Sequence, residues 1–592
     1  MESQMKVKEG SSGCVISRRK LSLICGIVIS ISIYLYLDVF RAEIINIFHK
    51  PPHKPVKPPA YKKCTDVHQL PMVDGLTSLN ESWTGWFVNG HAIELDESKH
   101  PHSQYLEKNK NLVPACPKYF DAFIKDPKPV YLLCDTIELI ITARDCKKKR
   151  LNSGGDYLWT WIKTDSMKAS QTQEGNITDV GNGTYIARFT LRWIGEVTPV
   201  VAVVRARQAM NYLRQWRQKV PARFCYDGIF KLKHVTATVP CHMTPWMNLN
   251  KTNIKVDKTR HLCNFTDPFT GIPWYCIKPP NMPCSAYNFG RGNLRREILY
   301  DNSKLYFKAT KGLDYVKNIQ PRAITVVNNI DKNHSLSGSF TSCEFSKTLP
   351  MCNSTDRGVM LSPNSASGFY YKNVWVSLQC KKSKFEKNKM IQILQNKTLI
   401  FFGDSTVRQW LEYITDTFRN DFCITKLGAT KFRYSVRYNM TLTHTFHGFP
   451  IRTGHATAPI CEYVANRIDA LKTGGPDVII VLTIWAHFTA TSLEFYQDRL
   501  LSIKNAIIRF QKRYPGTRIF IKSANTREKG TPTMSNWYAW ECDQVMRMML
   551  GHIPGITIID VWGMTTGHYT GFHVHPDQSV VRNEVDMLLS LI

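Results

Sequence analysis

The sequence is short of acidic residues: 47 Asp and Glu stand against 77 Lys and Arg in 592 residues, a formal net charge of +30. Such a balance suits an anionic partner, a glycan or a membrane surface, and suits equally a solvated basic surface with no specific ligand. Long apolar runs are also scarce. The single charge-free stretch of spanning length is 21-LSLICGIVISISIYLYL-37, so a transporter bundle is excluded. CxxC spacing is absent, which removes the usual zinc and thioredoxin signatures.

What is present begins with that apolar run. Arg18, Arg19 and Lys20 precede it, and the charge bias places them on the cytoplasmic side with everything after Asp38 outside or in the lumen. This predicts a type II signal-anchor, short enough to favour the thinner early secretory membranes. A cleaved signal peptide competes, but no small-x-small site follows the run. Nine Asn-x-Ser/Thr sequons, at Asn80, Asn176, Asn182, Asn250, Asn264, Asn333, Asn353, Asn396 and Asn439, agree with a lumenal body. Of 17 cysteines only Cys14 and Cys25 precede Asp38, leaving 15 for an oxidising compartment, where disulfides are expected. Because 15 is odd, at least one thiol is free or pairs between chains. The compartment removes nucleic acid from consideration as a partner.

Residues 50–63, KPPHKPVKPPAYKK, are Pro- and Lys-rich and read as an extended stem. Between about 90 and 210 the period is two. In 184-TYIARFTLRW-193, Tyr185, Ala187, Phe189, Leu191 and Trp193 share one face, and similar runs at 136–145 and 198–207 predict an immunoglobulin-like sandwich. Residues 215–395 hold eight cysteines among Pro, Asn and aromatic residues with little period, which reads as a disulfide-stapled, loop-rich region. After about 395, strands at 398–402, 477–485, 517–525 and 555–562 alternate with helices following Ser405 and at 493–514, 537–550 and 577–592. Alternation of this kind predicts a parallel sheet covered on both faces, with ligands bound outside the carboxyl ends of its strands.

Gly403 and Ser405, in 398-TLIFFGDSTVRQW-410, fall at such a strand end. The glycine permits a sharp turn, and the free N–H groups of a helix start could stabilise an oxyanion. Asp-Ser before a helix is equally an ordinary N-cap. A nucleophilic serine needs a general base, and 571-GFHVHPD-577 offers His573 and His575. Two histidines two apart also suit a metal pair, but no third ligand stands at recognisable spacing, so no metal is expected.

The combination of the GDS serine, the near-terminal His-Pro and the sandwich and cysteine-rich parts before them resembles the neurexophilin and PC-esterase domain (NXPE) family. The segments that carry it are 401-FFGDSTVRQW-410, 483-TIWAHF-488, 558-IIDVWGMT-565 and 574-VHPDQSVVRNE-584, with 272-IPWYCIKPPNMPC-284 a weaker match. The resemblance implies a C-terminal α/β domain of the SGNH/GDSL type acting on carbohydrate esters, with Ser405 as nucleophile, His575 as base, and His487 with Gly403 at the substrate or oxyanion. Two departures are plain. Superfamily members commonly carry Asp three residues before the catalytic histidine, where this chain has Phe572 (Thr570 before His573), and the Asn of the Gly-x-Asn-Asp segment is missing. Asp560 and Asp577 are the acids that could orient the imidazole, Asp577 being the better helix N-cap.

The expected layout is therefore a cytoplasmic tail (1–20), an anchor (21–40), a stem (41–75), an immunoglobulin-like or neurexophilin-like sandwich (76–215), a cysteine-rich region (216–395) and an SGNH-like domain (396–592). The expected activity is that of a Golgi-lumenal O-acetyltransferase acting on glycans, sialic acid hydroxyls first, with acetyl-CoA as donor. A carbohydrate acetylesterase and a non-catalytic neurexophilin-like binding protein, secreted or anchored, are the alternatives, and a disulfide-linked dimer is open through the odd cysteine.

Overall fold

The computed structural model describes residues 115–211, 213, 225–243, 262–293, 313–328, 349–354, 366–418, 421–427, 430–435, 437–450, 463–527, 535–569 and 573–592, all within one compact unit. The expected anchor and stem, Thr570 and Phe572 lie outside these residues. Among the described residues no helix is long and apolar enough to cross a membrane. The described residues are mostly β-strand, in several sheets with a few helices, and include the disulfides Cys116–Cys146, Cys241–Cys276, Cys263–Cys284 and Cys352–Cys380.

Two sheets enclose the N-terminal core. Alternation does the work: in Thr184–Thr190 the side chains of Tyr185, Ala187 and Phe189 are buried while those between face outward. This strand pairs antiparallel with Thr136–Thr142 and lies in a sheet with Asp121–Ile124. The facing sheet is built on Tyr157–Thr164 and Gly195–Arg205, and the two inner faces share one core that includes Leu139, Ile141, Phe189, Ile162 and Val201. Both sheets recruit strands from far along the chain: Asn318–Gln320 joins the first, and Ile324–Val327, Gly368–Tyr371 and Val374–Ser377 join the second. These segments fall in the stretch expected to be loop-rich. Each described strand from 314 to 377 is only two to four residues long, too short for its period to show in the sequence.

A third sheet, centred on Cys225–Leu232 and Val235–His242, carries the Cys241–Cys276 bridge between neighbouring strands, while Cys263–Cys284 staples its edge. It does not stand alone. Trp274, fully buried, stacks on Phe449 with ring centroids 4.7 Å apart, so its core is continuous with that of the C-terminal part.

Among the described residues the C-terminal sheet has seven strands: β1 (Thr398–Gly403), β2 (Cys423–Leu427), β3 (Thr430–Ser435), β4 (Met440–Phe446), β5 (Val478–Thr483), β6 (Arg518–Lys522) and β7 (Ile556–Ile559). Their order is β2-β3-β4-β1-β5-β6-β7, parallel from β4 to β7, with β2 and β3 antiparallel at one edge. The helices that follow β1 among the described residues are α1 (Ser405–Thr417), α2 (Val464–Ala470), α3 (Leu493–Arg513), α4 (Asn536–Leu550), α5 (Val561–Thr566) and α6 (Gln578–Leu591), and a further helix, Lys387–Leu394, precedes β1. Alternate strand residues serve opposite faces. Phe402, Ile480 and Ile521 share a core with α2, α3 and α4, whereas Phe401, Val481 and Phe520 share one with α1 and α6. Covering both faces explains why β5 is buried at every position. All six sequon asparagines among the described residues (176, 182, 264, 353, 396 and 439) are exposed, and Cys542, on α4, is buried.

Candidate functional site

The site is built where β1 gives way to α1. Gly403 has φ +140°, and a Cβ at this position would collide with the Thr483 carbonyl oxygen on β5, so only glycine lets the two strands stay paired here. The next residue, Asp404, is the N-cap of α1. Its carboxylate accepts from the Thr406 amide at 2.8 Å and from the Thr406 hydroxyl at 2.7 Å. It also accepts from the amides of Ala486 (3.0 Å) and Trp485 (3.4 Å) in the loop that follows β5. One fully buried carboxylate thus ties the serine turn to the neighbouring strand end. Burial pushes this acid up, but His487 and the donors from Thr406 and Ala486 outweigh it and hold Asp404 below the ordinary carboxylate range.

Ser405 is the first residue of α1 and only partly buried. Its Oγ lies 2.6 Å from His575 Nε2, a hydrogen bond across 170 residues of chain. This is the nucleophile-base distance that acyl-transfer chemistry requires. With the capping role filled by Asp404, the hydroxyl of Ser405 is left to the histidine.

His487 is half-buried in the loop after β5, and its Nδ1 lies 2.8 Å from His447 Nε2. Burial lowers His487 to about 4 against the opposing pull of Asp404, with Arg527 and His575 lowering it further, so it is neutral near pH 7. His447, fully enclosed, is pushed well below the ordinary histidine value, first by burial. The pair therefore brings two uncharged imidazoles beside the serine turn.

Asp560 follows β7 directly and stands at the start of α5. It caps α5, accepting from Gly563 N at 3.3 Å, and its carboxylate is paired with Arg547, which also donates to Asp543 at 2.7 Å. Asp577 caps α6 through the amides of Ser579 (2.9 Å) and Val580 (3.2 Å). His573 is exposed, and among the described residues no group of three or more His, Cys, Asp or Glu side chains is placed to hold a metal ion.

Composition and period gave no signal for four residues now seen around the site. Gln409, one helical turn after Ser405, donates to the Pro576 carbonyl at 3.2 Å. Asn525 donates to the Val574 carbonyl at 3.1 Å and accepts from Lys522 at the end of β6. Arg527, buried, donates to the Ala486 carbonyl. Ordinary helix and strand polar positions look the same in sequence, so only the fold singles these out.

Residues 375–592 match the family model described as NXPE family member 4-like, C-terminal domain, and residues 135–299 match that described as Neurexophilin. The class is that of a neurexophilin-type segment followed by an NXPE-type C-terminal domain. Together the two matches are consistent with a member of the NXPE family. Among solved structures, adhesin InvE of Yersinia pseudotuberculosis is similar at 8% identity over 56% of this chain and 94% of that one, with a TM-score of 0.13, too low to bear on the fold.

Proposed function

We propose that the C-terminal part is a serine acyltransferase of the SGNH type that moves an acetyl group to glycan hydroxyls, sialic acid being the expected acceptor. The observation that carries this reading is the 2.6 Å contact between Ser405 Oγ and His575 Nε2 at the carboxyl end of β1. In the first half-reaction Ser405 Oγ attacks the thioester carbonyl of acetyl-CoA. His575 accepts the hydroxyl proton and returns it to the departing coenzyme A sulfur. In the second, His575 takes the proton of a sugar hydroxyl, which attacks the acetyl-serine and releases Ser405 with the proton restored. His487, beside the same turn, is the candidate for contact with the acceptor or the oxyanion, and Asp560 acts on its fixed neighbours Arg547 and Gly563. If water takes the sugar's place the same machinery is an acetylesterase.

The proposed setting is a type II protein of the Golgi membrane with this part in the lumen. Exposed sequons, disulfides and the charge of +30 support a secretory compartment and an anionic acceptor. The neurexophilin match favours a second reading for residues 135–299, that the sandwich binds a protein partner while the C-terminal part is scaffold.

The test is mass spectrometry of sialylated glycans after incubation of the purified full-length protein, or its Ser405→Ala variant, with isotopically labelled acetyl-CoA. Label on the sugar with the wild type and none with the variant is expected. Equal labelling, or none from either well-folded protein, refutes the transferase and leaves the acetylesterase or the binding module.

A further inference from the structure

The base of the site sits in a segment that lacks the usual acid three residues earlier, which raises the question of what holds His575 against Ser405. The carbonyl groups on either side of it are both gripped. Val574 O accepts from Asn525 Nδ2 at 3.1 Å, and Pro576 O accepts from Gln409 Nε2 at 3.2 Å. The two donors approach from different elements, Asn525 from the segment after β6 and Gln409 from α1. Pro576 adds a third restraint, because the residue before a proline is confined to extended backbone.

The direction of the Asn525 amide is fixed by chemistry. Val574 O can only accept, so Nδ2 must face it, and Oδ1 is then turned to Lys522 Nζ, from which it accepts. Asn525 and Lys522 are both fully buried, and Lys522 lies among the charges of Glu584, Asp404 and Asp543. Gln409 follows Ser405 by four residues, one turn along the same helix, so the helix that presents the nucleophile also holds the loop of its base. Movement of His575 relative to Ser405 would stretch both amide contacts.

We propose that Asn525 and Gln409 form an amide bracket that positions His575, with Lys522 as the partner of the Asn525 Oδ1; they are positioning residues, since neither touches the reacting atoms. This rests on the reading of Ser405 and His575 as nucleophile and base.

The experiment measures the rate at which a fluorophosphonate probe modifies Ser405 in the full-length protein, across pH. In that reaction Ser405 Oγ forms a bond to phosphorus, fluoride leaves, and His575 takes the hydroxyl proton. Asn525→Asp keeps size and the Lys522 partner but loses the donor to Val574, and Gln409→Glu is likewise isosteric and loses the donor to Pro576. With melting temperature used to confirm folding, the double variant should label about 10- to 100-fold more slowly, the cost of small misplacements of reacting groups. Its rate should approach that of His575→Ala, with the histidine-dependent rise with pH flattened, a change that loss of stability alone does not produce. Should Asn525→Asp fail to fold, Gln409→Glu, at a partly exposed position, decides on the same criteria. Labelling of the folded variants at the wild-type rate and with the wild-type pH profile overturns the bracket alone. A folded wild type that the probe does not modify at Ser405 overturns the serine chemistry, and the bracket with it.

Discussion

At Asp404 a single side chain answers to two demands, capping α1 and holding the loop that carries His487. Replacing it with Ala removes a helix cap and leaves the buried amides of Thr406 and Ala486 without an acceptor. A cap is worth about 1 kcal/mol and a stranded buried donor about 1–3 kcal/mol, so Asp404→Ala should cost roughly 2–4 kcal/mol, checked by denaturant unfolding. Ser405→Ala should leave stability nearly unchanged, because the cap belongs to its neighbour. His568 supplies a pH prediction. It is buried, which lowers it from 6.5 to about 4 against the pull of Asp577. The unfolded chain therefore binds a proton before the folded one does, so this residue's contribution is present above the unfolded value of about 6.5 and is lost as pH falls towards 4. His568→Gln should make the fall in melting temperature across that interval shallower than in the wild type; an unchanged slope would show that His568 does not carry it.

The elements of the C-terminal part were legible because period and turn chemistry agree there. The strands read at 477–485, 517–525 and 555–562 are Val478–Thr483, Arg518–Lys522 and Ile556–Ile559, and the terminal helix read at 577–592 is Gln578–Leu591 with Asp577 as its cap. The Ser405 and His575 pair was legible through its two short motifs. Gln409 and Asn525 were not, since an amide four residues into a helix or just past a strand has many ordinary uses. The same holds for the link between helices on one face of the sheet: Trp410 of α1 donates through Nε1 to Glu584 of α6 at 2.6 Å, both side chains being buried. Burial raises Glu584, with Lys522 and Trp410 pulling the other way. Trp410→Phe keeps the ring in the core but strands that carboxyl, and thermal or denaturant unfolding should register a loss of about 1–3 kcal/mol. No loss would mean that Glu584 is satisfied by Lys522 alone.

Across the whole molecule the sequence suggests parts in series, whereas the contacts interleave them. The hairpin Gly368–Ser377 belongs to the sandwich sheet, yet the Trp375 amide donates to Asn583 of α6 at 2.8 Å, and Tyr370 packs its ring against His568 at 4.7 Å. From the other side Trp161 Nε1 donates to the Thr566 carbonyl at 2.6 Å and Ser170 Oγ to the Gly567 carbonyl at 2.6 Å. The third sheet contributes Trp274, Tyr226 and Tyr287 to the core that α3 and α4 complete. Burying these aromatic rings is worth several kcal/mol in aggregate, and none of it survives if the parts separate. The protein should therefore unfold in one calorimetric transition, with calorimetric and van't Hoff enthalpies equal. A fragment of 396–592 alone, deprived of Trp274 and Trp375, should expose apolar surface and melt far below the whole chain. Two separated transitions, or a fragment as stable as the parent, would show instead that the parts fold independently and that the shared core adds little to their stability.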